Sequence, residues 1–101
     1  MLRIVRKGFL ATARNLESQG KYRKAIVIYE HLIEHKDIRY PFEVFQCYKR
    51  IGDCYYRLKD YAAALTYYKV AEIGFVQCVK WDDVTETDKD IIKVQNCLNP
   101  D

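Results

Sequence analysis

The sequence predicts an all-α protein, and three observations support this. The 101 residues include only four glycines and two prolines, so few residues interrupt a helix. Apolar residues recur every three or four positions through four long segments, which is the period of a helix with one buried face. Part of this pattern also repeats at a fixed offset along the chain. We therefore expect one helical domain, residues 1–101.

The first two helices are separated by Gly20. A glycine just after an apolar periodic stretch closes a helix in the left-handed conformation, so the first helix is predicted to end near Gln19. The second helix is predicted to extend from Lys21 to about His35. The segment 36–41 ends it, because a proline disfavours the helical conformation of the residue before it. The apolar face of the second helix comprises Tyr22, Ala25, Ile26, Tyr29, Leu32 and Ile33.

Two further long helices and a short fifth one follow. Apolar spacing predicts helices from about 41 to 58 and from 60 to about 79. The polar stretch 82–87 is predicted to interrupt the chain. Thr87 is predicted to be the N-cap of the next helix. The acidic residues that follow it would then lie in the first turn, where they interact favourably with the helix dipole. We expect a fifth helix over 88–98.

The repeat is the strongest signal in the sequence. Residues 20–25, followed by Tyr29, align with residues 59–64, followed by Tyr68, at an offset of 39 residues. In each copy a tight turn precedes a helix with a small alanine four residues before an aromatic side chain. A small residue lets two helices approach closely while the aromatic ring fills the neighbouring gap.

This pattern resembles the tetratricopeptide repeat. The second copy matches the spacing of that family at Ile51, Gly52, Tyr55, Tyr61, Ala64, Tyr68 and Ala71, and the first copy matches it at Gly20, Tyr22, Ala25 and Tyr29. The resemblance implies a short right-handed solenoid of antiparallel helix pairs, about five helices in all. It places repeat one at about 5–38, repeat two at about 41–79 and a capping helix at about 88–98. The offset exceeds the usual period, which implies an insertion at 36–41.

The resemblance also implies a function, the binding of a partner protein in a groove lined by the first helix of each repeat. Such a protein is an adaptor or scaffold of a co-chaperone-like kind, without catalysis and without a cofactor. The matching positions are Lys7, Leu10 and Arg14 in repeat one, and Gln46, Lys49, Arg50, Asp53, Tyr56 and Arg57 in repeat two. Helical spacing independently places Lys49, Asp53 and Tyr56 on one face. Tyr56 lies off the apolar stripe and is predicted to be an exposed contact.

Charge suggests the kind of partner. Residues 1–50 carry 11 lysines and arginines against 5 acids, and the remainder carries 6 against 9. The groove positions carry more positive than negative charge, so we expect an acidic segment or a C-terminal carboxylate of the partner. The basic residues form no block of the length typical of nucleic-acid-binding arms, which argues against nucleic acid.

Two other functions fit parts of the sequence. A two-repeat solenoid is short, so the chain could be a structural subunit that self-associates or completes its core against another chain. His31 to His35 reads H-x-x-E-H, a pattern typical of zinc hydrolases. It lies at a helix end just before a break, however, where no third metal ligand is evident. The chain has no phosphate-binding glycine loop and no nucleophile motif, so we predict that it is not an enzyme.

The cysteines and the N-terminus bear on location. The four cysteines form no C-x-x-C pair, and we expect free thiols without a metal in the reducing cytoplasm. The basic, amphipathic N-terminus also fits a mitochondrial import signal, which is the alternative location. No apolar run reaches the roughly 18 residues that a membrane span requires.

Overall fold

The computed structural model describes the backbone of residues 2–35 and 41–100 and the side chains of 8–35 and 41–100. The described residues form helices and turns without a strand, which confirms the all-α prediction. The five helices are α1 (Leu2–Ser18), α2 (Tyr22–Glu34), α3 (Pro41–Arg57), α4 (Tyr61–Gln77) and α5 (Trp81–Leu98). The predicted break at 36–40 and the end of repeat one at residue 38 lie outside the described residues.

Each helix packs mainly on its neighbours in the chain, so α1 with α2 and α3 with α4 form two hairpins stacked side by side. One apolar cluster joins α1, α2 and α3, and its largest fully buried side chain is that of Tyr29. A second cluster joins α4 to α5 through Tyr68, Ile91 and Val94. Adjacent helices sharing their apolar faces in this way form the predicted tetratricopeptide-like solenoid.

Two glycines allow α3 and α4 to pack closely. A Cβ atom on Gly52 would lie 2.7 Å from Cδ1 of Tyr68. A Cβ atom on Gly74 would overlap the ring of Phe45. The pattern of small residues facing aromatic rings therefore sets the distance between these helices.

Three connections share one turn geometry. After α1, the N–H of Lys21 donates to the carbonyl of Leu16 at 2.8 Å and that of Gly20 donates to Glu17 at 3.0 Å. The same pair of hydrogen bonds closes α3 and α4. This pair of hydrogen bonds requires that the residue after the helix adopt a left-handed backbone conformation, with positive φ. Gly20 has φ 78°, Lys59 has φ 65° and Val79 has φ 59°.

Of these three left-handed residues, Val79 has the least favourable backbone conformation. A β-branched side chain in the left-handed region is strained, because its Cβ atom approaches the backbone. Val79→Gly is expected to raise the free energy of unfolding by about 1 kcal/mol, since the exposed valine side chain contributes little burial. Urea unfolding followed by circular dichroism measures the change. Gly20→Val is the reciprocal control and is expected to be destabilising; an unchanged or lower stability of Val79→Gly would contradict the strain.

The prediction for the fifth helix was wrong at its start. Helix α5 begins at Trp81 rather than near residue 88, and the stretch 82–87 is its first half. Asp82 and Asp83 occupy the first turn, where carboxylates stabilise the helix dipole. Thr87 is not an N-cap. It is buried in mid-helix, where its hydroxyl donates to the carbonyl of Asp83 at 2.7 Å.

Candidate functional site

A polar groove crosses the solenoid on the side formed by α1, α3 and α5. It consists of two adjoining cavities of about 550 Å³ and 570 Å³. Arg14, Lys49, Arg50 and Asp53 line both of them. The three helices present a row of side chains here because each keeps its apolar face toward α2 or α4.

Eight of the nine predicted groove positions line this recess. Leu10 and Gln46 lie in one cavity, Tyr56 and Arg57 lie in the other, and the remaining four line both. The side chain of Lys7, the ninth position, lies outside the described residues. The structure thus brings the predicted residues together in space, and their role in binding stays a prediction.

The groove also has a wall that sequence reasoning missed. Helix α5 contributes Asp83, Glu86, Asp90 and Lys93. These residues follow one another at intervals of three or four, so they lie on one helix face. The signal was present in the sequence, but the stretch 82–87 was interpreted as a break. The groove therefore has a mixed side on α1 and α3, where four basic residues face three acids, and a largely acidic side on α5.

Lys49 is the centre of an ionic cluster between these two sides. Its Nζ atom lies 3.2 Å from Oε1 of Glu86, 3.4 Å from Oδ2 of Asp90 and 3.8 Å from Oδ2 of Asp53. The Tyr68 hydroxyl donates a short hydrogen bond to Oδ1 of Asp53. One cation therefore neutralises part of the charge of three carboxylates on α3 and α5.

Burial and these neighbours shift the pKa values of the cluster. Burial alone would lower the pKa of Lys49, but the three carboxylates outweigh it and hold the pKa above its ordinary value of 10.5. Burial raises the pKa of Asp53 despite the Tyr68 hydrogen bond and Lys49. Burial likewise raises the pKa of Asp90, against the effect of Lys49. Lys49 thus remains charged, whereas Asp53 and Asp90 are carboxylates held in an unfavourable environment.

A second ion pair between a cation and a carboxylate of the chain joins the two hairpins. The Tyr29 hydroxyl donates to Oε1 of Glu17 at 2.9 Å, and Arg50 approaches Oε2 of Glu17 at 3.5 Å. Lys49 and Arg50 are therefore both paired with carboxylates of the chain itself. Arg14 and Arg57 are exposed and form no ion pair with the described residues. They are the groove cations best placed to meet a partner.

Tyr56 is less exposed than the sequence predicted. Its ring lies 5.7 Å from that of Tyr61, and the Nζ atom of Lys93 lies 5.6 Å from its centroid. The half-buried ring forms part of the groove floor. Its apolar neighbours come from α4, which the spacing along α3 alone cannot reveal.

The histidines of the H-x-x-E-H pattern contact each other and an aromatic ring. The centroids of His31 and His35 lie 4.0 Å apart, and the ring of Phe9 meets His31 edge-on at 5.1 Å. Across the described part of the chain, no group of three or more potential ligands could hold a metal ion. The zinc hypothesis therefore gains no support from the geometry.

Two of the four cysteines are buried free thiols. Burial raises the pKa of Cys47 to about 11 and that of Cys54 to about 12. Both thiols are therefore protonated and unreactive at neutral pH. None of the described helices has the length and apolarity needed to cross a membrane.

Comparison with known proteins identifies part of the second hairpin. Residues 50–71 match the family described as tetratricopeptide repeat. The match begins in α3, crosses the turn at Lys59 and ends in α4. Neither the curated proteins nor the solved structures include a match to the chain.

Proposed function

We propose that the groove binds a peptide segment of a partner protein, since residues 50–71 match the tetratricopeptide repeat family, whose members serve as interaction modules and scaffolds. The observation that carries the proposal is the groove itself, in which three helices present charged side chains to one continuous recess. Such a recess accepts an extended or helical segment. The protein would then act as an adaptor rather than as an enzyme.

The partner segment is acidic or ends in a free carboxylate. Arg14 and Arg57 are exposed on the α1 and α3 side, while Lys49 and Arg50 already have intramolecular carboxylate partners. Guanidinium groups form paired hydrogen bonds with carboxylates. The acidic side chains of α5 would repel the same segment, so it lies nearer α1 and α3 than α5.

The buried free thiols of Cys47 and Cys54 fit a reducing compartment, and we place this adaptor in the cytoplasm. The alternative function is that of a structural subunit, which associates with itself or completes its short solenoid against another chain.

Reversing the two exposed groove arginines tests the proposal. In the double variant Arg14→Glu, Arg57→Glu, the affinity for an acidic peptide with a free C-terminal carboxylate is expected to fall at least about tenfold, because each arginine forms charge-assisted hydrogen bonds. Fluorescence anisotropy of labelled acidic, neutral and basic octapeptides measures the affinity.

The matched control is Arg23→Glu, Lys69→Glu, which reverses two exposed cations outside the groove. It gives the same net charge, so general electrostatic attraction changes equally in both variants. The control is expected to retain the wild-type affinity within about twofold. An equal loss in both variants, or binding that ignores peptide charge, would place recognition elsewhere.

A further inference from the structure

The two cavities of the groove lie toward opposite ends of the same three helices. In α1, α3 and α5, residues nearer the N-terminus line only the cavity of about 570 Å³, and residues nearer the C-terminus line only that of about 550 Å³. In α3, for example, Glu43 lines the first and Arg57 lines the second, and they are about 21 Å apart along the helix axis. The groove therefore has two distinguishable ends.

The two ends differ in charge. Leaving aside the residues that line both cavities, the charged residues of the N-terminal cavity are Glu43 and Asp83. Those of the C-terminal cavity are Glu17, Arg57, Asp90 and Lys93. We call the N-terminal cavity the acidic end of the groove and the C-terminal cavity its basic end. Charge thus changes along the length of the groove as well as across it.

The acidic end has a carboxylate that the chain leaves available. Asp83 is half-buried and forms no ion pair with the described residues. The ammonium group of Lys80 lies nearby, 4.4 Å from the ring centroid of Phe42, but Lys80 lines neither cavity. The apolar side chains that line this end alone are Leu10, Leu32 and Phe42. The acidic end can therefore receive a cation and an adjoining apolar side chain.

The basic end has a cation that the chain leaves available. Both acids of this end lie within 3.5 Å of a cation of α3, so their charge is already balanced. Lys93 lies 5.6 Å from the ring centroid of Tyr56 and close enough to Asp90 to lower the pKa of that carboxyl. Arg57 is exposed and forms no ion pair with the described residues. Arg57 is therefore the cation that a ligand carboxylate meets at this end.

We propose that the groove selects a segment whose charges are separated, with a lysine or arginine beside an apolar residue at the acidic end and carboxylates at the basic end. This inference rests on the proposed function and specifies the segment more closely. A uniformly acidic segment would bring a carboxylate against Asp83, and like charges in an interface weaken binding. A segment with separated charges meets an opposite charge at both ends.

Three octapeptides with acetylated N-termini and free C-termini test the separation. The first has lysine and leucine at its N-terminus and glutamates at its C-terminus, the second has the same composition with the charges interleaved, and the third is uniformly acidic. An extended octapeptide is about 26 Å long, enough to reach both ends. By fluorescence anisotropy, the first is expected to bind at least about fivefold more tightly than the others.

The outcomes distinguish this inference from the proposed function. If the interleaved or the uniformly acidic peptide binds as tightly as the first, the inference is wrong, while the groove still binds peptides. If none of the three peptides binds, the proposed function and the inference both fail.

Reversing the charge of Asp83 tests the acidic end. Asp83→Lys is expected to weaken binding of the first peptide at least about fivefold and to strengthen binding of the uniformly acidic one. Asp82→Lys is the matched control, because Asp82 also lies in the first turn of α5 but lines neither cavity. It is expected to leave both affinities within about twofold. Circular dichroism verifies folding, and equal changes in the two variants overturn the assignment.

Trp81, the single tryptophan, reports the orientation of the bound peptide. It lies two residues before Asp83 and about 18 Å from Lys93 along the axis of α5. Energy transfer from Trp81 to a dansyl group is expected to be more efficient when the group is attached to the lysine end of the first peptide than to the glutamate end. Equal transfer, or stronger transfer to the glutamate end, overturns the proposed orientation.

Discussion

Replacing Lys49 with methionine is expected to lower the free energy of unfolding by about 2 kcal/mol at neutral pH, because it leaves the partly buried carboxylates of Asp53 and Asp90 without their cation. Methionine retains the apolar stem of lysine, so packing changes little. Asp53, Glu86 and Asp90 all lie within 4 Å of the lost ammonium group. Urea unfolding followed by circular dichroism measures the difference.

The pH dependence of this variant distinguishes electrostatics from packing. The pKa values of Asp53 and Asp90 are already raised above 3.8 in the folded protein, and loss of Lys49 raises them further. Above pH 3.8 the folded state then binds more protons than the unfolded state, so stability increases as the pH falls. The difference in unfolding free energy between wild type and Lys49→Met is therefore expected to become smaller as the pH falls from about 7 to about 4.

Arg57→Met is the control for this experiment. It also removes a cation from α3, but Arg57 is exposed and forms no ion pair with the described residues. Its effect is expected to stay within about 0.5 kcal/mol at either pH. If the loss of stability in Lys49→Met does not vary with pH, packing rather than electrostatics causes it.

Replacing Gly52 with valine is expected to have the largest effect, a loss of about 3 kcal/mol and of roughly 12 to 24 °C in melting temperature. The new Cβ atom would lie 2.7 Å from the Tyr68 ring. This ring cannot move away, because it is buried and its hydroxyl is bound to Asp53. Helices α3 and α4 would have to separate. Thermal and urea unfolding measure the loss.

Gly8→Val is the matched control, since among the described residues no atom beyond its own stretch of helix lies within 4 Å of the position of its Cβ. Here the substitution relieves the poor helix propensity of glycine without a clash, and the change is expected to stay within about 0.5 kcal/mol. Should both variants lose stability equally, close packing against Tyr68 would not explain the loss at Gly52.

The sequence predicted the helices that have one continuous apolar face. In α2, residues such as Ala25, Tyr29 and Leu32 follow the helical period without interruption and are all buried. Helix α5 was only half predicted, because Asp82 and Asp83 look like loop residues when considered one by one. Their place in the first turn, where they favour the dipole, becomes evident only once Trp81 is known to begin the helix.

The groove was predicted on α3 and missed on α5 for a related reason. Spacing places Lys49 and Asp53 on one face of a single helix, which requires no tertiary information. The contact between Lys49 and Glu86 joins positions 37 residues apart, and no local pattern encodes it. The sequence therefore indicated where the cations lie but not that the chain itself neutralises Lys49.

The pairing of Lys49 has a consequence for selectivity. Glu86 and Asp90 are tethered competitors, held near the ammonium group at an effective concentration on the order of millimolar or above. In the proposed binding mode, a ligand carboxylate would have to displace them to reach Lys49. A segment that also gains contacts elsewhere along the groove would do so more readily than a single anion in solution.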